Sequence, residues 1–230
     1  MSTSPETLLA FVLHRRAVGE TSMQVTFFTR EKGLIRARAR GGRKQSKQAV
    51  LAPFMPLWLY LDGHPSGYYV KDVQIQACWG ALPHLAAVPG LYLNELLYRF
   101  LHPEEEDHAL FTLYEKTIQR LMTVQSQYDV EAILRQFEWH LLALLGHLVS
   151  FTYEAYQEQP IQKERHYELH PATGFVLSSS GFLGQEILAM AEGLWEDAAV
   201  LKTAKRVMRC LIFDALNGAP IHTRELYAGR

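Results

Sequence analysis

Up to about residue 80 the chain is cut into short apolar runs by glycine-bearing breaks, the signature of strands and turns. Leu8 to Leu13 is apolar, and the chain turns at Val18-Gly19-Glu20. Met23 to Thr29 is rich in β-branched and aromatic residues, and Glu31-Lys32-Gly33 is a turn, so 23–29 and 34–40 read as a hairpin. Gln45 to Leu51 reads as a loop. Met55 to Leu61 is a fourth strand, Asp62 to Gly67 a long turn, and Tyr68 to Ile75 a fifth strand. Five short strands in fewer than 80 residues predict a small barrel, and the OB-fold is the natural candidate. Its exposed face commonly carries single-stranded nucleic acid.

Beyond Trp79-Gly80 the apolar period lengthens to that of helices. Pro83 to Pro89 reads as a connector. Leu91, Leu93, Leu96, Leu97, Phe100 and Leu101 then share a helical face, and His102-Pro103 ends it. Glu104 to Asp107 places acids at the start of a helix from about His108 to Val124, where they complement the helix dipole. Asp129 is the expected N-cap of a long helix from Val130 to about Ser150, apolar over most of its circumference. Residues 151–184 are polar and turn-rich, an irregular segment or small hairpin. Gln185 to Met190 is a short helix. Asp197 caps a final long helix, 198–216, closed by Asn217-Gly218. The predicted class is α+β: a five-stranded OB-fold barrel over 1–80, followed by a helical domain over 81–230.

The stretch Gly33 to Lys47 changes this picture from fold to function. Arg36, Arg38 and Arg40 alternate with Ala37 and Ala39, which puts three guanidinium groups on one face of a strand and two small residues on the other. Gly41-Gly42 breaks the pattern, and Arg43, Lys44 and Lys47 follow on the expected loop. No acid interrupts residues 33–50. Such a surface suits a polyphosphate backbone. The alternative is a solvated face that guards a sheet edge against aggregation. Arg15 and Arg16 join the candidate DNA-binding set. Lys202, Lys205, Arg206 and Arg209, spaced to share one face of the last helix, extend it, or balance the acidic middle of the chain. Trp58, Tyr60, Tyr68 and Tyr69 are stacking candidates or core residues.

The net charge of −1 conceals an asymmetry. Residues 1–50 hold ten Lys/Arg against three Asp/Glu, and residues 101–200 hold five against sixteen. The last thirty hold six against two. A basic front and tail around an acidic middle predict a polyanion surface built from the two ends. The two cysteines, Cys78 and Cys210, form no C-x-x-C pair and read as buried apolar residues in a reducing compartment. His140 with His147, and His166 with His170, lack the further ligands a metal needs, so no metal or cofactor is expected. Neither a P-loop, nor H-E-x-x-H, nor G-x-S-x-G occurs, which argues against an enzyme. The first apolar run is short and followed by His14-Arg15-Arg16, unlike a secretory leader, and no run reaches membrane-span length. A cytoplasmic protein without membrane contact is expected.

Five segments in order resemble one family. FVLHRRAVGETSMQVTFFTREKGLIRARARGGRK (11–44), GLYLNELLYRFL (90–101), LRQFEWHLLALLGHL (134–148), TGFVLSSSGFLG (173–184) and LKTAKR with GAPIHTREL (201–226) are similar to the bacterial RecO recombination mediators. The resemblance implies an N-terminal OB-fold and a C-terminal helical domain. It also implies binding of single- and double-stranded DNA, strand annealing, docking on the C-terminal tail of the single-stranded-DNA-binding protein SSB, and joint action with RecR in loading RecA. It further implies a monomer by itself, acting at the nucleoid. Many members carry four zinc-binding cysteines in the second domain; residues 153–184 contain none, so the chain resembles the zinc-free branch. The arginine of the family's LRxFE stretch maps onto Arg135, making Arg135, with Leu134 and Phe137, the expected SSB-tail site. Without the resemblance, an ion pair of Arg135 with Glu131 or Glu138 explains the arginine as well. Rival readings are a protein adaptor without annealing activity and an enzyme acting on nucleic acid.

Overall fold

The computed structural model describes residues 6–65 and 67–228. Its contacts divide the chain into two compact units: one runs to Val124 and takes up the chain again at Ile221, the other is Gln125–Pro220. Secondary structure changes character near residue 80, where the sequence suggests a division. The division in contacts lies further on, because two helices belong with the barrel.

In the first unit, β1 (Glu6–Val18), β2 (Ser22–Thr29), β3 (Gly33–Ala39), β4 (Leu57–His64) and β5 (Gly67–Ile75) close a barrel in the order β1-β2-β3-β5-β4. Only β3 and β5 run parallel. This is the OB-like barrel expected. Alternate residues fill it: Leu8, Ala10 and Val12 from β1, Val25 and Phe27 from β2, Ile35, Ala37 and Ala39 from β3, Leu57 and Leu59 from β4. The long turn of the sequence reading is shorter than expected, because β4 and β5 pair as far as His64 and Gly67; Ser66 lies outside the described residues. The expected loop 45–51 is instead a short helix, α1 (Gln45–Val50), with the fully buried Leu51 behind it in the barrel core. Leu51 and the half-buried Val50 beside it anchor this turn, two adjacent apolar residues that carry no helical period to read from sequence.

The outer side of the barrel carries α2 (His84–Phe100) and α3 (His108–Leu121). The expected connector Pro83 to Pro89 already belongs to α2, with Pro89 inside the helix. An internal proline costs about 3 kcal/mol, and the buried face of Ala86, Tyr92, Leu93, Leu96 and Leu97 offsets it. Phe11 and Phe28, facing away from the barrel interior, pack against Phe111 and Tyr114 with centroids 5.1–6.1 Å apart. Between them lies a buried polar link. The β1–β2 register shifts between Val12 and His14, and the Asn94 amide donates to the carbonyls of Val12 (3.3 Å) and Leu13 (3.2 Å). Tyr114 Oη donates to Asn94 Oδ1 at 2.6 Å. Complete burial pushes the Tyr114 phenol far up, so it stays protonated as the donor.

Two features tie the unit's segments together. Gly33 has φ +59°, and a Cβ there would lie 1.8 Å from the Glu105 carbonyl oxygen, so the chain after α2 crosses where only glycine fits. Glu104 N–H donates to the Leu34 carbonyl beside it. Residues 222–224 also return to α2: Glu95 accepts from the amides of His222 (2.8 Å) and Thr223 (2.7 Å), at the start of a 3-10 turn His222–Arg224. Arg224 lies over the Tyr92 ring at 5.5 Å.

The second unit holds α4 (Gln127–Leu144), a three-stranded sheet of β6 (His166–His170), β7 (Gly174–Ser178) and β8 (Phe182–Leu183), then α5 (Gly184–Ala191) and α6 (Ala198–Ala215). Ser126, not Asp129, is the N-cap of α4; Asp129 is the third residue of a reciprocal capping box. Hydrogen bonding with Ser126 and the Gln125 amide holds the Asp129 carboxyl below its usual range. The helix ends at Leu144 rather than near Ser150, so His147 lies beyond it and shares no helix face with His140. Segment 151–184 is built around aromatic contacts of Phe151 with Trp139 (4.5 Å) and Phe175 (5.2 Å). Asp197 caps α6 as expected, accepting from the amides of Ala199 and Val200. Both cysteines are exposed, contrary to the buried expectation. Cys210 lies among the outward positions of α6, whose buried side is Ala204, Val207, Met208 and Leu211.

Candidate nucleic-acid interface

Strand alternation decides which basic residues of the barrel face outward. Ala37 and Ala39 are fully enclosed in the barrel, and Arg36, Arg38 and Arg40 between and beyond them are exposed. The small alanines allow the barrel wall to close tightly under a row of bulky cations. Neighbouring strands extend this face. In register, Arg16 of β1 lies opposite Gln24 of β2, Gln24 opposite Arg38 of β3, and Arg38 opposite Tyr69 of β5. Paired residues share a face, so Arg16, Arg38 and Tyr69 form one outward row. His14, Thr26 and Arg36 form the next.

Two tyrosines flank the arginines. The Arg40 guanidinium lies 4.8 Å from the Tyr69 ring centroid. Arg36 lies 5.7 Å from that of Tyr98, projecting from α2, and the His14 ring lies 5.6 Å from the same ring. Tyr98 remains 37% exposed. Among the described residues no carboxylate pairs with Arg36, Arg38 or Arg40. Cations of this density beside aromatic rings match what backbone phosphates and unstacked bases require.

Arg15 turns the other way. It lies in register with Val25, an interior position, and its Nη1 donates to the carbonyls of Gln48 (2.8 Å) and Leu51 (3.2 Å). It thereby closes the end of α1 and, half-buried, is engaged in the barrel rather than aimed at solvent. Arg43 and Lys47 are exposed but bond locally: Arg43 Nη1 to the Gly19 carbonyl at 3.2 Å, Lys47 Nζ to the Arg40 carbonyl at 3.3 Å. Lys47 stands on α1, not on a loop. Lys44, exposed, precedes α1, and Gly41 takes φ +64° to bring the chain there. Trp58 is 37% exposed, whereas Tyr68 packs against the barrel core. His14 and Tyr98 escaped the sequence reading: a lone histidine at a bulge and a tyrosine on a helix carry no strand-periodic signal.

In the second unit, Lys202, Lys205, Arg206 and Arg209 all lie on the exposed side of α6. Lys205 pairs with Glu131 at 2.9 Å, and Arg206 lies 4.7 Å from the Phe182 ring centroid. The expected SSB-tail residues are enclosed instead. Leu134 and Phe137 are 5% and 1% exposed, core residues of α4, so they offer no surface to a peptide. Arg135 pairs with buried Glu138 at 2.9 Å, the alternative that sequence left open, but inside the fold rather than on the helix surface. The wide apolar coverage of α4 explains it: the packed side of the helix takes in Arg135 and Glu138, and exposure is left to residues such as Asp129, His140, Ala143 and Leu144.

Among the described residues, no three His, Cys, Asp or Glu side chains gather to hold a metal ion, and no helix is long and apolar enough to cross a membrane. The family model described as recombination protein O, N-terminal, matches residues 1–77, and its C-terminal counterpart matches 86–220. A Legionella pneumophila (strain Paris) protein named DNA repair protein RecO is 36% identical, over 96% of this chain and 97% of its own length. A Tolumonas auensis protein of the same name is 34% identical over 98% of this chain and 96% of its own. One from Actinobacillus pleuropneumoniae serotype 7 is 35% identical over 94% and 92%.

Proposed function

The chain belongs to the RecO recombination protein family, and from that premise we propose that it is a non-enzymatic DNA-binding and strand-annealing mediator of recombinational repair. The observation that carries the reading is the exposed row Arg36, Arg38 and Arg40, without acids and beside two tyrosines. Cations on this face neutralise phosphates of two strands, lowering the repulsion that keeps complementary bases apart. Arg16, Arg43, Lys44 and Lys47 extend the surface; the basic side of α6 is a second, weaker contributor because Glu131 already engages Lys205. The chain acts as a monomer in the cytoplasm at the nucleoid, on single- and double-stranded DNA, with SSB, RecR and, indirectly, RecA. No cofactor takes part.

Replacing Arg36, Arg38, Arg40, Arg43 and Lys44 by alanine tests it. Binding should weaken across all sequences, the salt dependence should flatten, and annealing of naked complementary oligonucleotides should slow. Unchanged affinity in the folded variant would sink the assignment. An adaptor without annealing activity would not accelerate pairing even as wild type. For the SSB tail, Leu134 and Phe137 are enclosed, and Arg135 alone, with 9% of its side chain exposed beside Glu138, is kept as the family position. Its folded variants should weaken tail binding in calorimetry and spare naked DNA; an unaltered isotherm removes Arg135 from that role.

A further inference from the structure

We propose that Tyr98 and Tyr69 make the barrel face selective for single strands, by taking unpaired bases onto their rings on either side of the β3 arginines. The inference rests on the DNA-binding reading above and adds a strand preference to it. β3 has β2 on one side and β5 on the other. Tyr69 stands on β5, outward with Arg38 and under Arg40. Tyr98 approaches from the opposite side: it touches His14 and Arg36, the two ends of the row whose middle residue is the buried Thr26 of β2. The arginine ridge therefore runs between two aromatic rings, one near each end.

Arg36 to Arg40 spans about 13 Å of strand. A single strand laid on this ridge presents phosphates to the guanidinium groups and is free to turn bases to either side. Stacking on an aromatic ring contributes about 1–3 kcal/mol per base and tolerates any base, because each has a π face. A duplex keeps its bases stacked and paired inside, so it meets the arginines but not the rings. The contacts already made, Arg36 and His14 with Tyr98 and Arg40 and, edge-on, His64 with Tyr69, do not oppose this, since a guanidinium or imidazole and a base can share or exchange an aromatic surface.

The same two contacts would exist if the tyrosines merely tied α2 and β5 to β3, so the test separates stacking from packing. Tyr98→Leu and Tyr69→Leu keep apolar volume and lose the ring; Tyr98→Phe and Tyr69→Phe keep the ring. Binding by the full chain is measured on a single-stranded oligonucleotide, its abasic counterpart and a duplex, across a salt series, with thermal unfolding of each variant. Each leucine variant should bind the single strand about tenfold more weakly. It should bind the duplex and the abasic strand within about twofold of wild type, with the salt slope unchanged because no phosphate contact is lost. The phenylalanine variants should match wild type. Equal losses on single strand and duplex, a flattened slope, or no loss in a folded leucine variant would overturn the proposal while leaving DNA binding in place. A wild-type chain that binds neither form overturns the underlying reading instead.

Discussion

Arg36, Arg38 and Arg40 stand exposed on a strand whose opposite face is alanine, while Arg135 keeps 9% of its side chain exposed and lies 2.9 Å from the Glu138 carboxylate. The charge pattern of the sequence marks the first as a recognition site, and family resemblance the second. The difference between them comes from the element that carries each arginine. On a barrel wall one face is core and the other is outside, so an alternating stripe is exposed as a set. A helix packed on most of its circumference has little outside left, and an arginine there is enclosed with a partner. Charge in the sequence is therefore a weaker guide to recognition than charge together with the period of its element. The stripe on α6 falls between the two: exposed, but partly engaged by Glu131 and Phe182.

The largest effect should come from breaking the enclosed pair. Arg135→Ala removes a cationic partner from the buried Glu138 carboxylate and should cost about 3–5 kcal/mol in urea unfolding. A loss below about 1 kcal/mol would show the pair to be solvent-relaxed and remove the contrast with β3. Next, the triple change of Arg36, Arg38 and Arg40 to alanine should reduce the single-strand salt slope by about 2, from about 0.7 per phosphate contact. The change of Lys202, Lys205, Arg206 and Arg209 to alanine should move it less, despite removing one more charge. The reverse ranking would make α6 the main surface.

A sharper cut lies within one dipeptide. Arg15→Ala removes the bonds that hold the end of α1 and should destabilise by about 1.5 kcal/mol with the salt slope intact. Arg16→Ala should do the opposite, leaving stability and lowering the slope by about 0.7. The smallest effect concerns pH. Burial raises the Glu95 carboxyl, but the amides of Thr223 and His222, and Arg99, outweigh it and hold it below its ordinary value of 4.5. A depressed folded pKa means that its stabilisation is complete above that ordinary value and is lost as pH falls through the lower folded one. Glu95→Gln should flatten stability against pH below about 5 by a fraction of a kcal/mol. Amide exchange at His222 and Thr223 should rise in the variant.

The barrel, its five strands, the outward β3 arginines and the basic side of α6 are all legible in local pattern, because period two and period 3.6 fix which residues share a face. Helix α1, the inward turn of Arg15 and the helical state of Pro89 are not, since each depends on segments far along the chain: the barrel strands that bury Leu51, the Gln48 carbonyl that receives Arg15, and β1, against which α2 packs. Nor is the return of His222 and Thr223 to Glu95, more than 120 residues apart in sequence.

Sequence by itself determined the family, the barrel-then-helices order and the cationic strand, all of which rest on residue order and nearest-neighbour geometry. Tertiary structure decided which cations reach solvent. It enclosed Arg135 with Glu138, turned Arg15 inward, and brought Tyr98 from α2 and Tyr69 from β5 to the arginine row. Burial and ring contacts depend on segments far apart in the chain, and only the closed fold puts them side by side.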